Sequence, residues 1–369
     1  MTHANDRPDA MPQPLKRLYT PTLVRRLATD VAAVQRRFDS AAFVATVLGS
    51  GWARLELKQR MRRISDALAQ HVRGDYPAQL DVLLRIAPGY RGLLGMFLPD
   101  FVEQHGIDDF EHSVPALREL TQYSSSELAV RPFIVRYEAR MRSVMLAWAH
   151  DSSEHVRRLA SEGCRPRLPW AMALPRFKAD PAPILPILER LQADPSEYVR
   201  RSVANNLNDI SKDHPDLVLD IARRWLGTRA ETDQLVKHAC RTLLKRGDQR
   251  ALALFGHHDA QPVSATLRLA SSTVAIGGTL DFDIVVRADA ATPVRLEYRI
   301  DYVTGSGKVS SKTFKIGERE LQANTPMQIA RHQRFTDFTT RKHHPGSHRI
   351  AIVINGVERA ARRFRVAAA

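Results

Sequence analysis

One eight-residue pattern occurs twice in the chain at a fixed distance, and this repeat limits the folds that the sequence can adopt. Residues 151–158 read DSSEHVRR and residues 194–201 read DPSEYVRR, a displacement of 43 residues. That spacing is typical of HEAT-type helix pairs. In each copy an Asp begins a turn, a Ser stands in position to cap, and a Glu opens the next helix. One pair cannot bury its apolar face alone, so we predict a curved α-solenoid of stacked pairs.

Apolar residues recur at helical spacing over residues 21–254, which predicts an almost entirely α-helical region. We expect a long helix over 133–150 and shorter helices over 184–191, 217–225 and 235–244. The fold class is therefore mostly α, with a HEAT-like α-solenoid at its centre.

The periodicity changes to two after roughly residue 258. Apolar residues alternate near 280–284, 294–302 and 350–354, and turn residues such as Asn355-Gly356 separate the segments. Some seven short strands in about a hundred residues predict an all-β immunoglobulin-like sandwich after the solenoid, although the Cys, Trp, Cys core of antibody domains is absent.

The chain is long enough for two domains. We predict a disordered N-terminal tail over residues 1–14, a HEAT-like repeat domain over 15–257 and the immunoglobulin-like domain over 264–369.

Positive charge predominates, with 55 Lys and Arg against 40 Asp and Glu, a formal net charge of +15 and a pI near 10.2. Residues 264–369 alone carry 17 basic and 9 acidic side chains. Such a balance favours a polyanionic partner, nucleic acid first and an anionic membrane surface second.

Cysteine usage and the N-terminus bear on the compartment. The two cysteines, Cys164 and Cys240, form neither a disulfide framework nor a zinc-like spacing, which fits a reduced cytoplasm. The sequence shows neither the apolar segment of a signal peptide nor 18 uninterrupted apolar residues. We expect a cytoplasmic protein without a membrane partner.

A stiff loop is predicted over residues 159–172, LASEGCRPRLPWAM. Gly163 is expected to take a left-handed cap, and two prolines then fix an extended connection. The loop gathers a carboxylate, two guanidinium groups and an indole, which suit a phosphate backbone approached by a base-sized aromatic. These side chains are Glu162, Arg165, Arg167 and Trp170.

Two further carboxylates stand out. Asp209 lies one helical turn after Asn206 and shortly before Lys212. Glu127 follows three serines, where it suits a helix dipole, and Arg131 stands four residues later, where it can pair with it. We expect Pro132 to interrupt that helix.

Each of these residues has a simpler structural interpretation when it is taken alone. Glu162 can merely neutralise Arg165, Asp209 and Glu127 can merely cap, and a Trp usually packs between helices. The arginine pairs of the repeats can form a solvated face. The combination of acids on successive repeats of a basic protein is what favours a functional interpretation.

A second basic segment, residues 341–349, reads RKHHPGSHR. We hypothesise that it grips the DNA backbone or minor groove, because Gly and Pro permit a tight tip and the charges suit phosphate. The alternative is a solvated hairpin with incidental charge. The candidate contacts are Arg341, Lys342, His343, His344 and Arg349.

Several of these stretches resemble the DNA alkylation repair family of HEAT-repeat glycosylases, and specifically its AlkC branch, some members of which carry a C-terminal immunoglobulin-like domain. The resemblance covers most of residues 20–250. The matching motifs are SSELAVRPF (125–133), VRRLASEGCRPRLPW (156–170), NNLNDISKDHPDLV (205–218) and WARLELKQRM (52–61).

The resemblance implies a monofunctional DNA glycosylase that removes cationic N-alkylated bases from double-stranded DNA, 3-methyladenine above all, with 3-methylcytosine and 1-methyladenine as further candidates. It implies that Glu127, Glu162 and Asp209 surround the damaged nucleotide and that Trp170 contacts it. It also implies that Arg158 and Arg165 hold phosphates; Arg131, Arg167 and Lys212 complete the expected DNA contacts.

The expected chemistry needs neither a metal nor a redox cofactor, because an N-alkylated purine leaves without a general acid and a carboxylate can stabilise the oxocarbenium-like sugar. We expect a monomer. The rival interpretation is a non-catalytic HEAT scaffold that binds distorted or branched nucleic acid, or a protein partner, with the same basic face.

Overall fold

The computed structural model describes residues 14–258, 263–337 and 342–368. The tail predicted to be disordered, residues 1–14, lies outside this described part except for Pro14. Across the described ranges, no helix has both the length and the apolar character that a membrane crossing requires.

The chain divides into two compact units, which differ from the predicted domains. The first unit reaches to Asp213 and takes up residues 229–235, and the second contains residues 214–228 and the chain from Val236 onward. The predicted domain boundary between residues 257 and 264 stays a prediction, because these units divide the helical region itself.

The first unit is built from α-helices, as the sequence predicts. Four of them begin at a Thr or Asp whose side chain accepts a hydrogen bond from the first turn, namely Thr20, Asp39, Asp75 and Asp109. The helices are α1 (Pro21–Val34), α2 (Ser40–Leu48), α3 (Leu57–His71), α4 (Tyr76–Ile86), α5 (Phe97–His105), α6 (Phe110–Leu120), α7 (Val130–Arg136), α8 (Glu138–Trp148), α9 (Glu154–Gly163), α10 (Pro175–Ala179), α11 (Leu185–Leu191) and α12 (Glu197–Ile210).

The two copies of the repeat begin α9 and α12 in the same way. The Asp151 carboxylate accepts a hydrogen bond from the Ser153 N–H at 2.8 Å, and Asp194 accepts one from Ser196 at 2.9 Å. A glutamate stands in the first turn of each helix, as predicted. The prediction that the serines cap is wrong, because in the described chain neither hydroxyl makes a capping hydrogen bond and the aspartates order the turn.

Arginines tie each copy to the helices beside it. Arg157 donates from Nε and NH2 to the two carboxylate oxygens of Asp194, at 2.7 and 3.0 Å. Arg118 donates from Nε to Asp151 at 2.7 Å. The repeat is therefore also a repeat of ion pairs.

Two predicted helices are interrupted. The helix expected over 133–150 breaks at Tyr137, which leaves the helical conformation, donates its hydroxyl to the Ile107 carbonyl at 3.0 Å and packs edge-on against Phe110. Pro132 lies in the first turn of α7, where proline is tolerated, and does not interrupt a helix. The helix expected over 235–244 breaks at Cys240.

The second unit combines helices with the β-sandwich. Its helices are α13 (Pro215–Trp225), the end of α14 (Ala230–Ala239), α15 (Arg241–Arg246) and α16 (Gln249–Leu254). Its strands are β1 (Val263–Leu269), β2 (Thr273–Ala275), β3 (Thr279–Ala288), β4 (Thr292–Val303), β5 (Val309–Leu321), β6 (Met327–Arg334), β7 (Gly346–Ile354) and β8 (Val357–Ala367).

The strands form two sheets with a shared core, in the orders β1-β3-β6 and β2-β8-β7-β4-β5. All pairs are antiparallel except β2 with β8. Alternate residues such as Phe282, Ile300 and Ile352 point inward and are buried, as the period of two predicts. The immunoglobulin-like sandwich expected from the sequence is therefore present.

Candidate active site

A cleft of about 440 Å³ opens in the helical unit. It is bordered by the segment between α6 and α7, by the first turns of α9 and α12, and by the loop that follows α9. The charged and aromatic side chains of its wall include Tyr123, Glu127, Arg158, Trp170 and Tyr198.

The outer part of the site is an arginine shared by two carboxylates. Arg158 NH1 lies 2.7 Å from Glu127 Oε2, and Arg158 NH2 lies 3.6 Å from Glu162 Oε1. Glu162 stands four residues after Arg158, so both project from the same face of α9. Burial lowers the pKa of Arg158, but Glu162 and Glu127 outweigh burial and raise it above its ordinary value.

A second arginine continues this chain of charges into the protein interior. Arg165 NH1 lies 2.6 Å from Glu162 Oε1, and its Nε lies 2.9 Å from Asp209 Oδ2. Lys212 Nζ lies 3.0 Å from the other Asp209 oxygen. The six groups alternate in sign from the cleft inward, and we call them the charge chain: Glu127, Arg158, Glu162, Arg165, Asp209 and Lys212.

The three acids differ in their access to the cleft. The Glu127 side chain is 22% exposed, whereas those of Glu162 and Asp209 are 5% and 2% exposed. Glu127 is therefore the carboxylate best placed to act on a bound molecule. Within the described ranges no group of three or more His, Cys, Asp or Glu residues is arranged to hold a metal ion.

Packing between α9 and α12 fixes the register of these charges. The Ser161 and Ser202 hydroxyls lie 2.7 Å apart, and Asn206 donates from Nδ2 to the Ser161 carbonyl at 2.8 Å. Asn206, which the sequence singled out together with Asp209, is thus a buried contact between repeats.

Arg131 is not placed to bind DNA. Its side chain is fully buried, with Nε donating to the Met172 carbonyl at 2.7 Å and NH1 donating to Gly163 and Arg165 carbonyls at 2.8 Å. Burial lowers its pKa to about 10. In place of the expected pairing with Arg131, the Glu127 carboxylate pairs with Arg158. Arg131 therefore holds the loop after α9 in place.

That loop differs from the extended connection expected, since it folds as successive turns. Gly163 is helical and not left-handed; a Cβ there would stand 2.7 Å from Val130 Cγ1, which is what requires glycine. The left-handed residue is Trp170, with φ +66°, and its side chain is 57% exposed at the mouth of the cleft. Lys58 Nζ donates to the Trp170 carbonyl at 2.9 Å and helps to hold this conformation.

The remaining helical candidates have mixed surroundings. Arg165 is buried between Glu162 and Asp209, and Arg158 is largely enclosed between Glu127 and Glu162. Their expected phosphate contacts stay predictions. Arg167 pairs with Asp213 at 2.6 Å and, like Lys212, keeps about a third of its side chain exposed. DNA contacts by Arg167 and Lys212 stay predictions.

The basic segment of the β-sandwich is less exposed than expected. His343 is buried against Phe335 and bonds to Asp337, and His348 is buried with its ring beside Phe364. Arg349 pairs with two carboxylates of its own sheet. The buried His343 ring is thus not placed to grip DNA, because it belongs to the edge of the core.

Two further members of that segment, Lys342 and His344, are not buried. Lys342 is exposed and His344 is half-buried, so their DNA contacts stay predictions together with that of Arg349. Arg341 lies outside the described residues.

Sequence reasoning missed three aromatic residues of the cleft, Tyr123, His155 and Tyr198. Tyr123 stands directly before the three serines. His155 and Tyr198 occupy the same position in the two copies of the repeat, and their rings contact each other with centroids 5.8 Å apart. A comparison of the copies position by position would have found them, since this is where DSSEHVRR and DPSEYVRR differ in an aromatic side chain.

Two family profiles match the chain. The family described as "DNA alkylation repair enzyme" matches residues 106–243, which contain most of the cleft lining and all of the charge chain. The family described as "Uncharacterised protein YhaZ, C-terminal Ig-like domain" matches residues 263–368.

Two individual proteins match nearly end to end. The uncharacterized protein YhaZ of Bacillus subtilis (strain 168) is 44% identical over 353 residues, which are 95% of this chain and 99% of that protein. The structure of the Pseudomonas fluorescens alkylpurine DNA glycosylase AlkC, bound to DNA containing an abasic site analog, matches with a TM-score of 0.91 and 37% identity, over 96% of this chain and 99% of that one. The chain belongs to the DNA alkylation repair family of HEAT-repeat DNA glycosylases, in the AlkC branch with a C-terminal immunoglobulin-like domain.

Proposed function

We propose that this chain is a monofunctional DNA glycosylase that excises cationic N-alkylated bases, 3-methyladenine above all, with 3-methylcytosine and 1-methyladenine as further substrates. The observation that carries the proposal is Glu127, a carboxylate at the cleft wall that is tied through Arg158 to two buried acids. The similar Pseudomonas fluorescens protein, an alkylpurine DNA glycosylase bound to DNA with an abasic site analog, supports it.

The substrate chemistry explains why a carboxylate is useful there. An N3-alkylated adenine already carries a positive charge, so the electron pair of the N-glycosidic bond can pass to the base, which leaves neutral without a general acid. The positive charge then lies on C1′ and the ring oxygen of the sugar. Water adds to C1′ and loses a proton, leaving an abasic site.

The size of the effect is sufficient for catalysis. A carboxylate about 4 Å from the developing cation contributes on the order of 4 kcal/mol at an effective dielectric constant near 20. That free energy corresponds to roughly a thousandfold in rate. We assign this contribution first to Glu127, because it is the most exposed of the three acids.

Glu162 and Asp209 act from behind the cleft wall in this proposal. Their ion pairs with Arg158 and Arg165 keep the guanidinium groups fixed, so that Glu127 needs no rearrangement when charge develops on the sugar. Trp170, exposed at the cleft mouth, can face the cationic base and gain about 0.5–2 kcal/mol from a cation–π interaction.

The proposed partner is double-stranded DNA with alkylated bases, bound by a monomer in the cytoplasm at the nucleoid. The net charge of +15 makes affinity strongly salt-dependent. The rival function, a scaffold that only grips nucleic acid, leaves Glu127 without a purpose, since an acid on such a surface weakens the grip.

Release of free base from alkylated DNA tests the proposal. Duplex DNA treated with a methylating agent and duplex DNA with a single 3-methyladenine are incubated with the full chain, and free bases are separated chromatographically. We expect 3-methyladenine release far above the spontaneous rate and none from undamaged DNA. Release no faster than the spontaneous rate, together with tight DNA binding, would leave the scaffold as the function.

A further inference from the structure

Tyr198 forms part of the cleft wall, but the proposed function does not use its side chain. It stands at the start of α12, is 44% exposed, and meets the His155 ring almost at right angles, with an interplanar angle of 73°. The Tyr198 ring is therefore available for contacts inside the cleft.

The Tyr198 ring also contacts a second neighbour, Arg158. The guanidinium carbon of Arg158 lies 4.7 Å from the centroid of the Tyr198 ring, within the range of a cation–π contact. The same guanidinium donates to the Ser125 hydroxyl at 3.2 Å and lies between Glu127 and Glu162. One cation is therefore held by two acids, a hydroxyl and a ring.

The two acids contact the Arg158 guanidinium at different distances. Glu127 lies 2.7 Å from Arg158, whereas Glu162 lies 3.6 Å away and is already engaged by Arg165. One Arg158 N–H group already contacts Glu127, and without the ring the guanidinium can rotate to give Glu127 a second hydrogen bond in place of its contact with Glu162. Such a two-point pair at the cleft wall would neutralise Glu127 further, where a cationic sugar has to be stabilised.

We propose that Tyr198 is a positioning residue of the cleft, whose ring keeps the Arg158 guanidinium shared between Glu127 and Glu162 and so keeps the cleft selective for a cation. The inference rests on the proposed function and names the side chain that sets the charge preference of that site. The repeat equivalent of Arg158, Arg201, is solvent-exposed, so the placement of Arg158 is not dictated by the repeat motif itself.

The experiment measures binding preference and does not depend on base release. The full chain is titrated with duplex DNA carrying a pyrrolidine abasic analogue, whose ring nitrogen is protonated, and with the same duplex carrying the neutral tetrahydrofuran analogue. The ratio of the two Kd values reports the preference for a cationic sugar. We expect Tyr198→Leu to lower the ratio about fivefold to tenfold, and Tyr198→Phe, which keeps the ring, to stay within about twofold of the wild type.

A double variant asks whether the ring acts through Arg158. In the Arg158→Met background there is no guanidinium to position, so adding Tyr198→Leu should leave the ratio unchanged. Phe314→Leu is the matched control, since it removes a ring beneath a cation, Lys312, on the β-sandwich at 5.2 Å. We expect it to leave the ratio at the wild-type value.

Three results would overturn the proposal. They are an unchanged ratio in folded Tyr198→Leu, an equal loss in Tyr198→Phe, and a full further loss on adding Tyr198→Leu to Arg158→Met. Thermal melting identifies any variant that has failed to fold. If Tyr198→Leu alone does not fold, the Kd ratios of Tyr198→Phe and of the double variant test the proposal. Failure of the wild type to release base would count against the proposed function alone, whereas a wild-type ratio of one would overturn the role of Tyr198.

Discussion

The two copies of the repeat begin α9 and α12 with the same turn, but the helices differ after it. In both, an Asp orders the turn, and the first arginine of the motif is used structurally. The second arginine separates them, because Arg158 joins the charge chain while Arg201 faces solvent. The comparison teaches that the shared turn and the first arginine build the solenoid, whereas the proposed chemistry depends on the surroundings of the second arginine and on the residues that follow it.

Removing a charge from the loop that follows the first copy should have the largest effect on stability. Arg165→Met leaves Glu162 and Asp209 buried without their shared partner, so we expect the free energy of unfolding to fall by about 3–5 kcal/mol. Urea unfolding at neutral pH measures it. The control is Arg201→Met, whose exposed side chain should change stability by less than about 0.5 kcal/mol. Equal losses in the two variants would break the comparison.

The second prediction concerns activity. Glu127→Gln should slow single-turnover release of 3-methyladenine roughly a hundredfold to a thousandfold, because the cleft loses the charge that stabilises the sugar cation. Glu197→Gln, which neutralises the exposed acid that opens α12, should leave the rate within about twofold. A Glu127→Gln enzyme with nearly full activity would move the catalytic role to another acid.

The third prediction concerns the aspartates that order the two shared turns. Asp194→Asn weakens a nearly buried, two-point ion pair with Arg157, so we expect a loss of about 2 kcal/mol. Asp151→Asn weakens a pair with Arg118, whose side chain is 44% exposed, and should cost about 1 kcal/mol. Chemical unfolding of both variants measures the difference, and the reverse order would contradict the ranking by burial.

The smallest effect is a pH dependence at the end of α9, where the first copy has Cys164 and the second has Leu207. Burial raises the pKa of the Cys164 thiol from 9.0 to about 12. Between pH 8 and pH 10 the unfolded thiol loses its proton and the folded one keeps it, so stability falls as pH rises. We expect the wild type to lose about 1 kcal/mol relative to Cys164→Ala over this interval. Parallel slopes of unfolding free energy against pH would contradict the assignment.

Much of the fold follows from local patterns in the sequence. The 43-residue repeat predicts stacked helix pairs, and the change of period near residue 258 predicts strands, because both signals arise from residues close together in the chain. The break at Tyr137 was missed because it depends on Phe110 and Ile107, which are distant in sequence.

The site was predicted in composition but not in arrangement. Local sequence context singled out Glu127, Glu162 and Asp209, and the family resemblance implied one shared site. Ion pairs through Arg158 and Arg165 join all three in one network. Their catalytic roles stay predictions. Which arginines face solvent could not be read from the sequence, because the enclosure of Arg165 and Arg131 depends on neighbouring helices and loop carbonyls.

The role of Tyr198 also could not be predicted from the sequence. In the sequence it is an ordinary aromatic beside a helix start, and its contact with Arg158 spans two repeats. The signal existed in the alignment of the two copies, but its meaning required the distance between α9 and α12.

The charge chain has a consequence for how this protein meets DNA. Three acids and three bases cancel when viewed from beyond a screening length of about 8 Å, so the site neither attracts nor repels a phosphate backbone during approach. The excess positive charge elsewhere in the protein then provides the long-range attraction to DNA. At contact distance the six charges act individually, and in the proposed function the acid at the rim then favours a cationic lesion over a neutral one.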